Sequence, residues 1–430
     1  DQPKRKTVTT ITTHPPPTAS TKARLLDIMR TRGTVSRVEL VGATGLTPGT
    51  ITNVIRELLD DGLVQEAGQA RSTGGQPRRL LRLRGQAHYA VGVQMDRCTS
   101  SVVLTDFTGR LVAQKTLQGS GSHAPKEMLE ILAGQIHKLL EAEDIPFENV
   151  LGISLVTHGP QNRIEGTLLA PRPTPQWYGY PLVPALSRLT GLPVILENDA
   201  TAAAMGEQWL GDVSAESFGV IYMASGLGGG AVVNKEVYRG GGSNTVEIGH
   251  ISLDASGPPC ECGNRGCVEN ICGTAAVVAR AVRDGPLRDR LGLKDNRAET
   301  LSDFERISSA AVGGDLDARL LLEDAARGLG QAAVTLVNLF DLSTVVLAGP
   351  AFSTAGTLLR DNISATVNAA AFNRELQPID VVLSSHGSLA AAIGGSLQVL
   401  RTVGDTRDRR TVPPSFLTRP NQPQLASLNP

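Results

Sequence analysis

From Ser20 onward the chain shows two hydrophobic periods in succession, and each marks a different kind of element. Leu25, Leu26, Ile28 and Met29 recur at helical spacing and predict a helix starting at Ser20. Ser36 with Glu39 three residues on has capping-box spacing and predicts a second helix over residues 36–43. In TGLTPGTITNVIRELLDDGLV, Gly45 permits a tight turn and Thr47 can cap a third helix. Pro48 fits its first position, where no N–H is needed. Ile51, Val54, Ile55, Leu58 and Leu59 form the buried stripe of that helix, and Gly62 ends it. Short strands at 63–66 and 80–83 flank AGQARSTGGQPRR, the pattern of a hairpin wing with a long basic tip. Beyond residue 87 the texture becomes β/α. Buried strands fit residues 90–94, 101–106, 150–155, 193–197, 218–223, 230–233 and 344–347, interleaved with helices such as 125–142 and 318–339. That alternation predicts mixed sheets covered by helices, in two lobes. Residues 1–19 and 404–430 are polar, carry prolines and lack periodicity, and are expected to be disordered.

Composition adds bounds. With 430 residues, 41% hydrophobic and 19% charged, the chain is expected to be globular and to form two or three domains. No run approaches 18 apolar residues, and the first 30 residues carry no secretory apolar core, so a cytoplasmic location is expected. The net charge of −1 hides an asymmetry: residues 1–84 hold 14 Lys and Arg against 7 Asp and Glu, and the rest hold 27 against 35. A basic head on an acidic body suggests nucleic-acid binding, whereas a merely solvated basic face is the plainer alternative. Helix, turn and charge agree on a helix-turn-helix whose second helix faces a major groove. Thr47, Thr50, Thr52, Asn53 and Arg56 lie opposite its apolar stripe, with groups suited to phosphates or base edges. Arg71, Gln76, Arg78 and Arg79 on the wing are expected to reach a minor groove.

The densest chemistry lies in GHISLDASGPPCECGNRGC. His250, Cys260, Cys262 and Cys267 give His-x9-Cys-x-Cys-x4-Cys, a donor set for a closed tetrahedral zinc site that is structural rather than hydrolytic. Five cysteines, odd in number and clustered, suit metal binding better than disulfides. Cys98 and Cys272 have no partner at ligand spacing and read as small core residues.

EIGH (247–250), CECGNRGCVE (260–269) and ENDATAAA (197–204) together resemble the ROK family of sugar kinases and sugar-responsive repressors, and the head resembles its repressor branch. The resemblance spans about residues 20–400 and implies an α/β fold. A winged helix-turn-helix (20–86) would precede a two-lobed, actin-like, sugar-kinase-like body. Its first lobe would take 87–205 plus 382–403, and its second, with the zinc site, 206–381. It also implies that Asn198 and Asp199 bind sugar hydroxyls, with Asp199 in the general-base position of the kinases. Glu247, His250 and Glu269 would contact the sugar, with Gly159 bringing backbone close. A helix N-cap is the plainer role for Asp199.

The kinase branch uses a turn of the form Asp-x-Gly-Gly-Thr, which here reads Gln94, Met95, Asp96, Arg97, Cys98. A carboxylate at Asp96 would repel ATP. ASGLGGG (224–230) resembles the family's other phosphate turn, although close packing needs the same glycines. Pro350 in LAGPAFSTAG departs from the usual glycine. Thr245-Val246 stands where the family shows Ala-Gly, bulk expected to reshape the pocket. The sequence therefore predicts a sugar-responsive DNA-binding regulator, a repressor without catalysis, working as a homodimer or homotetramer on operator DNA and off the membrane. The alternatives are an active sugar kinase fused to a DNA-binding head, and a sugar-independent scaffold controlled by a protein partner.

Overall fold

The computed structural model describes residues 20–69, 78–170, 174–211, 213–294 and 296–403. Both tails expected to be disordered, and the wing tip with Arg71 and Gln76, lie outside them.

The head begins with α1 (Thr21–Arg32), where the Ser20 hydroxyl accepts from the Ala23 N–H. β1 (Thr34–Ser36) follows, too short for its sequence to show alternation. Ser36 caps α2 (Arg37–Thr44) with the full reciprocal box, and the Glu39 carboxylate accepts from the Ser36 N–H at 2.6 Å. α3 (Pro48–Asp60) starts at Thr47, whose Oγ1 accepts from the Thr50 N–H. β2 (Val64–Gln69) and β3 (Arg79–Leu83) form the wing, and the three strands pair in the order β1-β3-β2.

In the body, β4 (Tyr89–Met95), β5 (Thr99–Asp106) and β6 (Leu111–Gln118) run as an antiparallel meander. α4 (Pro125–Ala142) leads to β7 (Val150–Thr157), parallel to β4. A small hairpin, β8 (Gln161–Asn162) and β9 (Thr167–Leu168), and α5 (Leu182–Thr190) precede β10 (Val194–Asn198), which completes the sheet β10-β7-β4-β5-β6. α6 (Asp199–Leu210) then crosses to a second sheet through β11 (Phe218–Met223), β12 (Leu227–Val233) and β13 (Glu236–Val237). The helices α7 (Val268–Cys272), α8 (Thr274–Arg283), α9 (Pro286–Leu291), α10 (Thr300–Val312) and α11 (Leu316–Phe340) cover it. β14 (Thr344–Ala348), α12 (Gly356–Ala370) and β15 (Asp380–Leu383) finish the order β13-β12-β11-β14-β15, and α13 (Ala390–Arg401) returns to the first sheet.

Both expected lobe boundaries fall inside regular elements. A cut at 205/206 falls inside α6, and one at 381/382 falls inside β15, which pairs with β14 through Leu383. Apolar patterning finds the strands, but it cannot show that one helix spans both sheets.

α6 and α13 cross almost backbone to backbone. A Cβ at Gly394 would lie 1.7 Å from the Ala202 carbonyl oxygen, and one at Gly206 3.0 Å from that of Ala390. Gly92 of β4 lets α13 approach in the same way, since a Cβ there would meet the Ala392 oxygen at 1.9 Å. The head is docked on this crossing. Leu25, Leu26 and Met29 of α1 share one buried core with Phe107, Trp209 and Leu397. Arg401 ties the seam, its guanidinium 4.3 Å from the Trp209 ring centroid and 3.4 Å from the Asp27 carboxylate. No helix of the described residues is long and apolar enough to cross a membrane.

Candidate functional site

A polar cleft of about 430 Å³ lies between the two sheets and gathers every sugar-site residue expected from the sequence: Gly159, Asn198, Asp199, Glu247, His250 and Glu269. Its floor is the β10–α6 junction, where the chain passes from strand to helix without a loop. Asn198, not Asp199, is the N-cap: its Oδ1 accepts from the Thr201 N–H at 3.0 Å. That leaves the Asn198 Nδ2 as a donor for a ligand. Asp199 stands at the first helical position, half-buried, with Oδ1 accepting from the Ala200 N–H at 2.8 Å. Burial pushes its carboxyl up to about 7, and the charges of Asp96 and Glu247 add to the rise.

A buried ion cluster that sequence patterning missed holds this junction. Glu197 is fully buried and meets Arg239 at 2.8 Å, Arg163 at 3.1 Å and the Gln398 amide at 2.9 Å. Burial alone would raise its carboxyl, yet Arg239 and Arg163 hold it below the ordinary carboxylate range. Gln161 and Asn244, also missed, clasp the opposite wall: the Gln161 N–H donates to Asn244 Oδ1 at 2.7 Å, and Asn244 Nδ2 donates to the Gln161 carbonyl at 2.9 Å. Arg239 and Asn244 bracket the glycine-rich segment RGGGSN. Gly159 sits under this clasp, where a Cβ would meet Glu247 Oε1 at 3.1 Å and Asn198 Nδ2 at 3.5 Å.

Several expectations about the surrounding loops change. Of ASGLGGG, residues 227–230 already belong to β12; Gly229 and Gly230 serve packing, while Gly226 and Gly228 line the cleft. A Cβ at Gly230 would lie 2.5 Å from the Ala200 oxygen, and one at Gly229 2.5 Å from that of Val246. Thr245 and Val246 stand behind the cleft wall rather than in its lining, next to Glu247, which does line it. Val246 adopts φ 58°, a left-handed conformation costly for a β-branched residue. Asp96 closes the β4–β5 turn, accepting from the Cys98 N–H at 2.9 Å through Oδ1 and from Ser225 Oγ of the facing turn through Oδ2. Glu269 accepts from the Leu227 N–H at 2.8 Å, so it braces the same turn while facing the cleft.

The metal-ligating set also assembles. The donor atoms of His250, Cys260, Cys262 and Cys267 all lie within 4.8 Å of one another. His250 Nδ1 is 3.6 Å from Cys260 Sγ, and the Cys262 and Cys267 sulfurs are 3.7 Å apart. Tetrahedral thiolates at about 2.3 Å from an ion are separated by about 3.8 Å, so the cluster can hold a metal ion. The chain reversal needs Gly266, at φ 60° with a Cβ position 1.8 Å from the Asp254 oxygen. Cys272 packs in the core against Gly328, while Cys98 donates to the Arg297 carbonyl at 3.5 Å.

A model of the ROK family matches residues 90–401. The chain belongs to the ROK family. One ROK relative, the putative xylose repressor of Caldicellulosiruptor sp. (strain Rt8B.4), is 28% identical over 378 residues, covering 87% of this chain and 93% of that protein. Another, the DNA-binding transcriptional dual regulator NagC of Escherichia coli (strain K12), is 26% identical over 362 residues, covering 82% and 85%. The fold matches the crystal structure of a ROK family transcriptional regulator described as a homologue of the E. coli MLC protein. The TM-score is 0.69 at 23% identity, over 88% of this chain and 96% of that one. A ROK family glucokinase from Streptomyces griseus, in complex with glucose and AMPPNP, matches with a TM-score of 0.63 at 25% identity, over 72% and 98%.

On the head of this ROK chain, Thr47, Thr50, Thr52, Asn53 and Arg56 are all exposed along one side of α3, while Ile51, Ile55 and Leu58 are buried. Arg78 is exposed just before β3. Arg79 departs from expectation: it is not on the wing tip but in β3, 2.8 Å from Glu66 of β2. An exposed ion pair of this kind is weak, so it restrains Arg79 without neutralising the wing.

Asp199 supplies a test of the cleft's electrostatics. Its folded carboxyl, at about 7, stands above the ordinary value near 4. The stability it confers is full below about pH 4 and is lost as pH rises through 7. Asp199→Asn is therefore expected to match the parent at pH 4 and exceed it by about 2–4 kcal/mol at pH 8. Denaturant unfolding at the two pH values checks this, and equal stabilities at pH 8 would contradict it.

Proposed function

We propose that the chain is a sugar-responsive DNA-binding transcriptional repressor of the ROK family. Residues 20–86 form its operator-binding head, and the cleft of the two-lobed body holds the effector. The observation that carries this reading is a winged head docked through one continuous core onto α6, the helix whose first turn forms the cleft floor. In support, Asn198 Nδ2, Asp199, Glu247, His250 and Glu269 offer the mixed donors and acceptors that vicinal hydroxyls need. The relatives named for xylose and for repression are consistent with a sugar or sugar derivative as effector. Exposed Thr47, Thr50, Thr52, Asn53 and Arg56 read the major groove, and Arg71, Gln76, Arg78 and Arg79 follow the backbone or minor groove. The metal is Zn²⁺, held by His250, Cys260, Cys262 and Cys267, and it fixes the EIGH segment and Glu269 in place. The protein acts in the cytoplasm as a homodimer or homotetramer, since paired half-sites need paired heads.

The body does not catalyse. Asp96 faces the Ser225 turn with a carboxylate where a phosphate would need donors. One observation favours a kinase instead: the Asp199 carboxyl, at about 7, is poised as a general base. A coupled ADP-release assay with common hexoses separates the two. Turnover abolished by Asp199→Ala would establish the kinase.

The central experiment is fluorescence anisotropy with DNA from upstream of the protein's own gene, with and without a sugar panel, backed by an unbiased DNA selection. Tight binding weakened about 5–150-fold by one sugar is expected. Arg56→Ala should weaken binding and, if it meets phosphate, reduce the salt slope by about one. Failure of the unbiased selection to yield any specific site would reject the repressor.

A further inference from the structure

A second cavity, of about 620 Å³, lies far from the polar cleft, at the seam between head and body. Met29, Arg30 and Thr34 from the head and Arg82 and Leu83 from the wing form one side. The β5–β6 turn, the end of α6 and the start of α13 form the other. Its size suits a small organic molecule.

The charge of this lining is one-sided. Arg30, Arg82, Arg110 and His386 contribute to it, and among the described residues no carboxylate does. The nearest acids are engaged behind the wall: Asp27 with Arg30 and Arg401, Asp106 with Thr108, and Glu207 with Ser384 and His386. Arg30 is set into the wall rather than on the surface, and it shares its charge with Asp27. Its side chain is 2% exposed, Nη1 meets Asp27 at 2.9 Å and Nη2 reaches the Phe107 oxygen at 3.4 Å. Its buried Nε has no hydrogen-bond partner, an uncommon state for a guanidinium nitrogen sealed from water. Arg110 is exposed at the rim, and its guanidinium has no partner among the described residues. Between these cations the wall is apolar, made by Met29, Leu111, Leu210 and Ile393.

We propose that this seam cavity is a second ligand site, distinct from the sugar cleft, and that it takes a small organic anion with an apolar body, of the aromatic carboxylate or sulfonate class. The anionic group sits toward the exposed Arg82 and Arg110, with Arg30 in the wall behind them, and the ring lies on the aliphatic wall, a division of labour that neither a sugar nor inorganic phosphate exploits. Because the walls belong to both head and body, a bound anion touches both at once, and its affinity depends on how the head is seated.

The test uses the full chain titrated with 8-anilinonaphthalene-1-sulfonate, followed by emission, and with phenylacetate as displacing ligand. Saturable binding of one probe per chain is expected, displaced by phenylacetate. Charge reversal in Arg110→Glu should weaken it by about tenfold or more, and Leu111→Trp, which fills the apolar wall, should abolish it. Both positions are partly or fully exposed, and a normal thermal melt confirms that each variant is folded. Wild-type affinity in either folded variant would place the probe on ordinary apolar surface and overturn the site. So would the absence of saturable binding by both compounds. The polar cleft has its own test, thermal stabilisation by sugars, which these two variants should leave unchanged.

Discussion

Cys260→Ser is expected to weaken the metal site strongly, reducing bound metal well below one ion per chain, because three donors completed by water hold an ion less tightly than four protein donors. Structural metal binding is folding energy, and loss of such a site is expected to cost about 3–5 kcal/mol here. The damage should be local and directional. Glu247 and Glu269 reach the cleft just outside the two ends of the segment bounded by His250 and Cys267, and Ser252 is bridged to Cys267. The variant should keep operator binding, since the head lies against α6 and α13 rather than against the metal segment. It should lose the sugar-induced release. Elemental analysis, thermal denaturation and anisotropy with the inducing sugar check the three parts. A metal-free variant with an unaltered sugar response would remove the metal from the signalling path.

A larger structural effect is expected at the α6–α13 crossing. Gly394→Val places a branched side chain where even a Cβ would lie 1.7 Å from the Ala202 oxygen. Backbone cannot yield as a flexible side chain can, so the helices must separate, at a cost of about 3 kcal/mol or more. Both sheets and the head depend on that crossing, so the expected result is little soluble folded protein. Gly134→Ala is the control. It too lies within a helix, α4, but a Cβ there meets nothing within 4 Å, and relief of backbone entropy should stabilise by about 0.5–1 kcal/mol. Equal behaviour of the two variants, measured by yield and chemical denaturation, would refute the close-packed crossing.

The difference between these glycines also marks where sequence reading ends. Local signals were strong and translated directly: Ser36 with Glu39 gave its capping box, Thr47-Pro48 its helix start, and the short apolar run at 218–223 its buried strand. The metal donors were legible because tetrahedral chemistry constrains spacing along the chain. What depended on long-range approach was not. Glu197 meets arginines 34 residues before it and 42 after it, and nothing near it in sequence announces a buried ion cluster. Gly229 and Gly230 of ASGLGGG looked like part of a phosphate turn because a turn and a tightly packed strand ask the same thing of a residue, the absence of a Cβ. Asn198 took the cap expected of Asp199 because the helix begins directly where the strand ends, so the last strand residue is itself the cap.

The crossing has a mechanical reading as well. α6 contains 12 residues and is about 18 Å long, with Asp199 at one end and Trp209 near the other. It is gripped between them, at Ala202 and Gly206. A rod gripped there resists sliding, and a tilt about the grip would move its two ends in opposite senses. A tilt of about 5° would carry each end about 0.8 Å. A sugar that draws Asp199 into the cleft would therefore lift Trp209, and with it the Arg401–Asp27 tie, in the opposite direction beneath the head. The polarity of the response would be written in which side of its pivot the ligand pulls.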